Sequence, residues 1–461
     1  MKVPWGSGRF DRVLVYGLGL SGRAAAHLLL DHGVEVIAVD ARPSDKLDLG
    51  GLAGRIEVLS GQEPAELPAE VDGVVVSPGV PMDRPLLEEA RRFRVPVIAE
   101  VELAFPFLNG PVVAITGSNG KSTTTELTGA MLRAAGLEAE VCGNIGEPLS
   151  SQVDGPPGRI FVVELSSFQI EGIVTFSPKA AAFLNLSEDH LDRYPSLAEY
   201  GAAKARLLRD MDEDGIAVLN ADDAFTSGVE TRARRRSFSR RGRVEDGCWA
   251  AEDGRVVEAT PEGEEIELFN ASDLKIAGVH NLENAMASAL LARAMGAGPA
   301  ALRAAIAEFT GLPHRLQRVG ERGGVVWYDD SKGTNPDATM KSLEGFPDGT
   351  VHLILGGRNK GADLSVLTPM VKKKARRVYL IGEAAGEFDK ALGKAVSKEK
   401  AETLDRAVRA ASERATDGEV VVLSPACASF DQFKSYIHRG EVFQSLVRDV
   451  VGGPHGEEAG V

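Results

Sequence analysis

A chain of 461 residues is longer than one hydrophobic core can usefully grow, so two to four domains are expected, with three the central figure. Hydrophobic residues at 43% and charged residues at 26% are ordinary globular values and exclude a disordered chain. The formal net charge of −15, from 52 basic and 67 acidic residues, argues against nucleic acid or an anionic membrane as a bulk partner and leaves room for a local basic pocket around a phosphorylated small molecule.

Short apolar runs ending in glycine or polar residues alternate with helical patterns, which is the signature of strand–helix–strand units around parallel sheets and predicts an α/β fold. Residues 12–16 read as a strand, 21–32 as a helix closed by Gly33, and 34–39, 74–76 and 95–98 as further strands of a first, Rossmann-like domain over 1–99. A second domain, 100–311, opens with a strand over 112–115 and a helix from Lys121, in which Leu127, Ala130, Met131 and Ala134 recur at helical spacing before Gly136 stops it. Strands over 160–163 and 180–184 follow, and 232–267, with clustered arginines, glycines and acidic residues, reads as a peripheral antiparallel excursion with solvated arginines. After a joint at 311–313, strands over 325–328, 351–355, 378–381 and 420–423 are each separated by room for a helix and its loops, predicting a second Rossmann-like sheet in a domain over 312–461. The glycine- and glutamate-rich tail from Gly452 is expected to be disordered, and no repeat of solenoid period is visible.

Cys142, Cys248 and Cys427 form no CxxC pair or metal-ligand spacing, which disfavours a disulfide framework and a structural zinc. The first ten residues have no apolar stretch of signal-peptide length, and no later stretch approaches the roughly 20 apolar residues of a membrane span. A cytoplasmic protein without membrane insertion is expected.

Two turns carry the first chemistry. Gly17-Leu18-Gly19-Leu20-Ser21-Gly22 follows a strand and opens a helix, with Asp40 ending the next strand; glycines there let a diphosphate approach the helix amino terminus. Taken alone the turn says nicotinamide dinucleotide, but it serves any nucleotide diphosphate, and glycines also permit close helix–strand packing. Thr116-Gly117-Ser118-Asn119-Gly120-Lys121-Ser122-Thr123 again joins a strand to a helix. Its backbone amides suit phosphates, Lys121 the β and γ phosphates of ATP, and Ser122 a magnesium ion, making the central domain P-loop ATPase-like. Only two residues separate Gly117 from Gly120 where the usual pattern has four.

Glu164 ends a strand at the edge where open α/β sheets bind ligands, so it can hold a metal ion beside the phosphates. His190 lies in a polar loop, 187–192, after another strand. Ser196 and Glu199 form a capping box opening a helix whose apolar face carries Leu197, Tyr200, Leu207 and Leu208, and Lys204 falls on that face. A desolvated amine there is easily deprotonated and can add to carbon dioxide, giving a carbamate; the alternative is a lysine snorkelling outward. Three polar loops at strand ends, 329–335, 356–360 and 424–430, imply a composite anion or carboxylate site. Cys427 in the last of them reads as a packed small residue, with no nearby histidine to activate it.

From residue 12 to 448 these motifs resemble the Mur ligases, the ATP-dependent amide-forming enzymes of peptidoglycan precursor synthesis. The resemblance rests on Thr116 to Thr123, on residues 163–169 and 185–194, on His280-Asn281 with Asn284, and on His314-Arg315, in the family's order. Residues 329–335 and 423–433 resemble the D-glutamate-adding branch. The resemblance implies that the Gly17–Gly22 turn holds the uridine diphosphate end of UDP-N-acetylmuramoyl-L-alanine with Leu20, Ser21, Asp40, Ser77 and Gly79, and that Asn144 and His190 contact this substrate. It implies catalytic roles for Lys121, Glu164, His190 and Lys204, with Ser122, Glu164, His190 and a carbamylated Lys204 supporting Mg2+. ATP would meet Gly117, Ser118, Asn119, Gly120, Lys121, Ser122, Thr123, Asn281, Asn284, His314, Arg315 and Asp330; D-glutamate would meet Lys332, Thr334, Lys360, Ser429 and Tyr436, the last standing where phenylalanine is expected. Ala41 replaces a hydroxyl residue found in some members after the aspartate. A monomer that binds small molecules and no nucleic acid is implied. The P-loop speaks against a nicotinamide oxidoreductase, and Lys204 with the later loops against a nucleotide switch; the remaining alternative is a related ligase adding another amino acid, including glutamate to a folate.

Overall fold

The computed structural model describes all residues except 7, 192, 260–262, 277, 395 and 453–461; the tail expected to be disordered thus lies, from 453 on, outside the described residues. The first domain contains β1 (Arg12–Tyr16), α1 (Leu20–Asp31), β2 (Glu35–Asp40), β3 (Glu57–Ser60), β4 (Gly73–Val76), α2 (Pro85–Arg92) and β5 (Val97–Ala99). Its five strands run in the order β3-β2-β1-β4-β5, all parallel. The order reverses at β1 and β4, and the crevice at their carboxyl ends is where α1 begins. Residues 95–98 were the expected last strand; it starts after Pro96, which has no N–H for the ladder.

The central domain follows with α3 (Glu100–Ala104), β6 (Val112–Thr116), α4 (Lys121–Ala134), β7 (Ala139–Gly143), β8 (Ile160–Glu164), α5 (Ser167–Ile170), β9 (Ala180–Phe183), α6 (Leu197–Arg209), β10 (Ile216–Asn220), β11 (Arg234–Ser239), β12 (Gly247–Ala250), β13 (Arg255–Ala259), β14 (Glu265–Asn270), α7 (Val279–Ala294) and α8 (Pro299–Glu308). Its sheet has nine strands in the order β14-β13-β12-β11-β10-β9-β6-β8-β7. β6, β8 and β9 are buried at every residue, as parallel strands covered on both faces must be. The 232–267 segment extends this same sheet: β11 and β12 add in parallel and only β13 and β14 are antiparallel. Its Arg236 is not solvated either, being buried between Asp246 and Glu258 (2.9 and 2.8 Å).

The third domain contains β15 (Gln317–Arg322), β16 (Val325–Asp329), α9 (Pro336–Glu344), β17 (Val351–Gly356), α10 (Thr368–Lys374), β18 (Ala375–Ile381), α11 (Ala385–Leu392), β19 (Lys398–Glu402), α12 (Leu404–Arg414), β20 (Val420–Leu423) and α13 (Tyr436–Val451). The six strands are ordered β15-β16-β20-β17-β18-β19, parallel apart from β15. Asn335 caps α9 by accepting from Ala338 N (2.8 Å), with Pro336 at the first helical position, and Ser435 caps α13 by accepting from His438 N (3.1 Å).

The chain forms two compact units: Met1–Leu186, Ala198–Asp273 and Glu283–Ala307 make one, and Ser187–Leu197, Leu274–Leu282 and Glu308–Val461 the other. In the first unit a continuous apolar cluster runs from Phe10, Val13 and Leu29 through Val101 and Leu103 of α3 to Phe161 and Phe183 of the central sheet. Glu102 reinforces this join: its carboxylate accepts from Trp5 Nε1 (2.6 Å) on one side and from the amides of Val174, Thr175 and Phe176 (2.9, 2.7 and 3.0 Å) on the other. In the second unit two apolar clusters, around Leu353 and Phe388 and around Trp327 and Phe443, cover the two faces of the six-stranded sheet. Among the described residues no helix is long and apolar enough to cross a membrane.

Candidate active site

β6 and α4 build the phosphate loop. β6 ends at Thr116, whose hydroxyl donates to the Leu165 carbonyl (2.9 Å). Gly120 has φ +84°, and a Cβ there would fall 2.2 Å from Asn284 Oδ1, so only glycine lets Asn284 of α7 lie against the turn. Asn185, just beyond β9, braces the loop: its Oδ1 accepts from Asn119 N (2.9 Å), its Nδ2 donates to Asn119 O (3.1 Å), and its carbonyl accepts from Ser118 N (2.9 Å). Lys121 Nζ donates to the carbonyls of Gly117 and Ser118 (2.9 and 3.0 Å). Ser122 and Thr123 are buried in the first turn of α4, a 14-residue helix whose amino terminus favours an anion.

Lys204 reaches the same loop from α6. It is 1% exposed, its Nζ donates to Gly117 O (2.9 Å), and it lies 4.5 Å from the centre of the Tyr200 ring. The outward-snorkelling alternative is therefore excluded. Glu164, paired in register with Ile115 across β8 and β6, is buried, and its Oε1 accepts from Asn144 Nδ2 (2.7 Å). The Ser122 hydroxyl and Glu164 carboxylate are hard oxygen donors of the kind that hold magnesium alongside substrate phosphates. Among the described residues no group of three or more His, Cys, Asp or Glu side chains is gathered for a metal.

In the first domain, Asp40 ends β2 beside the glycine turn. Its Oδ2 accepts from Leu18 N (2.7 Å) and Arg42 Nη2 (2.7 Å), and its Oδ1 from Arg42 N and Nε (both 2.9 Å). The Arg42 side-chain hydrogen bonds, ahead of the backbone ones, hold the carboxyl down at about 2. Ser77 Oγ donates to Gly17 O (2.6 Å), and a Cβ at Gly22 would fall 1.8 Å from that same oxygen, so the turn and the β4 end are packed without room for a side chain. Leu20 is 64% exposed at the start of α1, Ser21 is half-buried and Gly79 exposed.

In the second unit, Asp329 ends β16 and Asp330 follows it. Asp329 Oδ2 pairs with His314 Nδ1 (2.7 Å) and accepts from Gln444 Nε2 (2.9 Å). His314, φ +63°, packs against α13 at Gly440, where a Cβ would fall 2.1 Å from Nδ1. Asp330 Oδ2 accepts from Ser424 and Ser342 hydroxyls (2.6 and 2.7 Å); burial outweighs them and pushes the carboxyl up to about 6. Lys332 Nζ stands 4.0 Å from the Tyr436 ring centre, and Ser331 Oγ donates to the Tyr436 carbonyl (2.8 Å). Lys360 Nζ forms an ion pair with Asp189 (2.5 Å), which also accepts from Asn335 Nδ2 (3.2 Å). Ser429 is buried, Thr334 half-buried, and Arg315 follows His314 in the turn before β15.

The expected residues thus divide. Gly117 to Thr123, Asn144, Glu164, Lys204, Asn284 and the first-domain set belong to the first unit; His190, Asn281, His314, Arg315, Asp330 and the five candidate amino-acid contacts belong to the second. Asn185, Asp189, Arg42 and Gln444 escaped the sequence reading, although Asn185 and Asp189 both lie within the 185–194 stretch already singled out.

Residues 11–99 match the Mur ligase MurD-like N-terminal domain, 115–292 the Mur ligase middle domain, and 314–427 the Mur ligase glutamate ligase domain. The chain is 43% identical over 446 residues to a Koribacter versatilis (strain Ellin345) protein named UDP-N-acetylmuramoylalanine--D-glutamate ligase, covering 95% of this chain and 98% of that one. It is 44% identical over 444 residues to a protein of the same name from Solibacter usitatus (strain Ellin6076), covering 95% and 97%. Among solved structures it resembles the MurF ligase from Thermotoga maritima in complex with ADP, with a TM-score of 0.61 at 18% identity over 91% of this chain and 95% of that one, which is a likeness of fold.

Proposed function

We propose that this chain, which belongs to the Mur ligase family, joins the amine of D-glutamate to the alanyl carboxylate of UDP-N-acetylmuramoyl-L-alanine, converting ATP to ADP and phosphate, in peptidoglycan precursor synthesis. The observation that carries the reading is the short glycine turn ahead of α4 with Lys121, Lys204 and Glu164 gathered at it. The names of the near-full-length relatives supply the substrates.

A carboxylate is a poor electrophile at neutral pH, so it must be activated. The alanyl carboxylate oxygen attacks the γ-phosphorus, the bond from that phosphorus to the β-phosphate oxygen breaks, and ADP departs. The amine nitrogen then attacks the acyl carbon, phosphate leaves with the C–O electron pair, and the amine loses a proton. The α4 amino terminus and Lys121 would stabilise charge on the phosphoryl group as it transfers. Ser122 and Glu164, with His190 and a carbamylated Lys204, would hold Mg2+, which when bound neutralises charge on the phosphate oxygens. The carbamate would form when the buried Lys204 amine adds to carbon dioxide and loses a proton.

Under this reading 1–99 binds the uridine diphosphate end through Leu20, Ser21, Asp40, Ser77 and Gly79, with Asn144 of the central domain also on this substrate. Residues 100–311 bind ATP, with Asn281 and Asn284 joined by His314, Arg315 and Asp330, and 312–461 take D-glutamate on Lys332, Thr334, Lys360, Ser429 and Tyr436. The enzyme would act as a monomer in the cytoplasm. Phosphate release with ATP, Mg2+ and UDP-N-acetylmuramoyl-L-alanine tests the reading, comparing D-glutamate with L-glutamate, L-alanine and a diamino acid. Release is expected with D-glutamate alone; turnover only with L-alanine, on the precursor lacking its alanine, overturns it.

A further inference from the structure

Arg439, in the first turn of α13, is the largest buried charged side chain of the third domain, at 1% exposure. Its Nε donates to Ser331 Oγ (3.0 Å), and its Nη2 to the carbonyls of Ser331 (2.8 Å) and Cys427 (3.1 Å). Nη1 has no hydrogen-bond partner and lies against Gly357, where a Cβ would fall 3.2 Å from it and 2.3 Å from the Ala428 carbonyl. Among the described residues no carboxylate forms an ion pair with it, so a desolvated cation is held by neutral acceptors, an expensive arrangement for packing alone. The two residues it hydrogen-bonds sit on the loops after β16 and β20, and the glycine that its Nη1 faces sits on the loop after β17. Each is close in sequence to a candidate amino-acid contact: Ser331 precedes Lys332, Gly357 stands three before Lys360, and Cys427 two before Ser429. Ser331 also fixes the Tyr436 carbonyl. A planar fork with fixed donor directions registers several backbone carbonyls at once, which an ammonium or an apolar side chain does not.

We propose that Arg439 is the positioning residue that sets affinity for the incoming amino acid, by holding the three strand-end loops in one mutual register. The proposal rests on the functional reading that places D-glutamate on those loops. It is tested by steady-state kinetics with each substrate varied in turn, on Arg439→Lys, Arg439→Met and Ser331→Ala, with folding checked by circular dichroism. KM for D-glutamate is expected to rise from wild type through Arg439→Lys to Arg439→Met, reaching about tenfold or more, while KM for ATP and for the uridine diphosphate substrate stays within about twofold. Ser331→Ala, which removes one side-chain contact to the guanidinium, is expected to raise it about threefold, and by less in the Arg439→Met background because the two share one network. An unchanged D-glutamate KM in folded Arg439→Lys, or equal rises in all three KM values, overturns the proposal. If Arg439→Met does not fold, Arg439→Lys and Ser331→Ala decide. Wild type that releases no phosphate with D-glutamate defeats the functional reading instead; wild type that turns over beside variants with its own D-glutamate KM defeats only this inference.

Discussion

Glu100 offers a quantitative test of the junction between the first two sheets. It opens α3 at 1% exposure; its Oε1 accepts from Ser150 N (2.6 Å), and its Oε2 is buried with no partner. Burial, partly offset by the Ser150 hydrogen bonds, raises its carboxyl from an ordinary 4.5 to about 7. The folded state therefore holds this proton more tightly than the unfolded chain does. The resulting stability is fully present below the unfolded value and is lost as pH rises through about 7. At about 1.4 kcal/mol per tenfold in proton affinity, the loss amounts to ~3 kcal/mol. Glu100→Gln keeps an acceptor for Ser150 N and cannot ionise, but it buries an amide N–H2 with no acceptor, at a cost of about 1–2 kcal/mol. The variant is thus expected to be less stable than wild type near pH 5 and more stable near pH 8, the difference between the two proteins swinging by ~3 kcal/mol, or about 5 °C in midpoint for a unit of this size. Thermal unfolding followed by tryptophan fluorescence, which reports the first unit through Trp5, reads this directly. A difference between variant and wild type that is the same at both pH values refutes the reasoning.

Three further outcomes are expected. Lys204→Ala should lose activity by roughly a hundredfold and regain part of it with formate or acetate in a phosphate-release assay; full activity without them eliminates the carbamate. Gly120→Ala places a Cβ 2.2 Å from Asn284 Oδ1 at φ +84°, so ATP affinity measured by calorimetry should fall at least about tenfold, and unaltered binding would contradict the loop geometry. Gly440→Ala drives a Cβ to 2.1 Å from His314 Nδ1 and should lower stability by about 1–3 kcal/mol; a melting midpoint equal to wild type would mean that His314 does not pack on α13.

The buried strands were legible because parallel strands covered on both faces must be continuous apolar runs: β1, β6, β8, β9, β17 and β20 all fall within a residue of their expected bounds. β15 and β19 were not, because the edge of a sheet is kept safe from pairing by charge, and Gln317–Arg322 and Lys398–Glu402 carry no continuous apolar run. The 232–267 segment misled for a related reason. Arg232, Arg234, Arg235, Arg241 and Arg243 are exposed as expected, but Arg236 is buried against Glu258, which is 2% exposed; burying it needs a partner that no local spacing reveals.

The same distinction divides the site. The positions of Lys121, Ser122 and Glu164 were legible because each is tied to a strand end or a helix start that the sequence announces locally. Lys204 was half legible: periodicity put it on the apolar face of α6, but only the Gly117 carbonyl at 2.9 Å decides between burial and snorkelling. Glu100, Asp189 and Arg439 were invisible because each acts across 50 or more residues or between loops, on Ser150, Lys360 and Ser331 respectively. They are also the groups whose burial is hardest to account for by packing. A charged side chain that folding takes out of water and sets against the backbone of a site loop is doing something an apolar residue of similar size could not, namely fixing direction as well as distance. Arg439, bonded to Ser331 on one loop and Cys427 on another, is the clearest case.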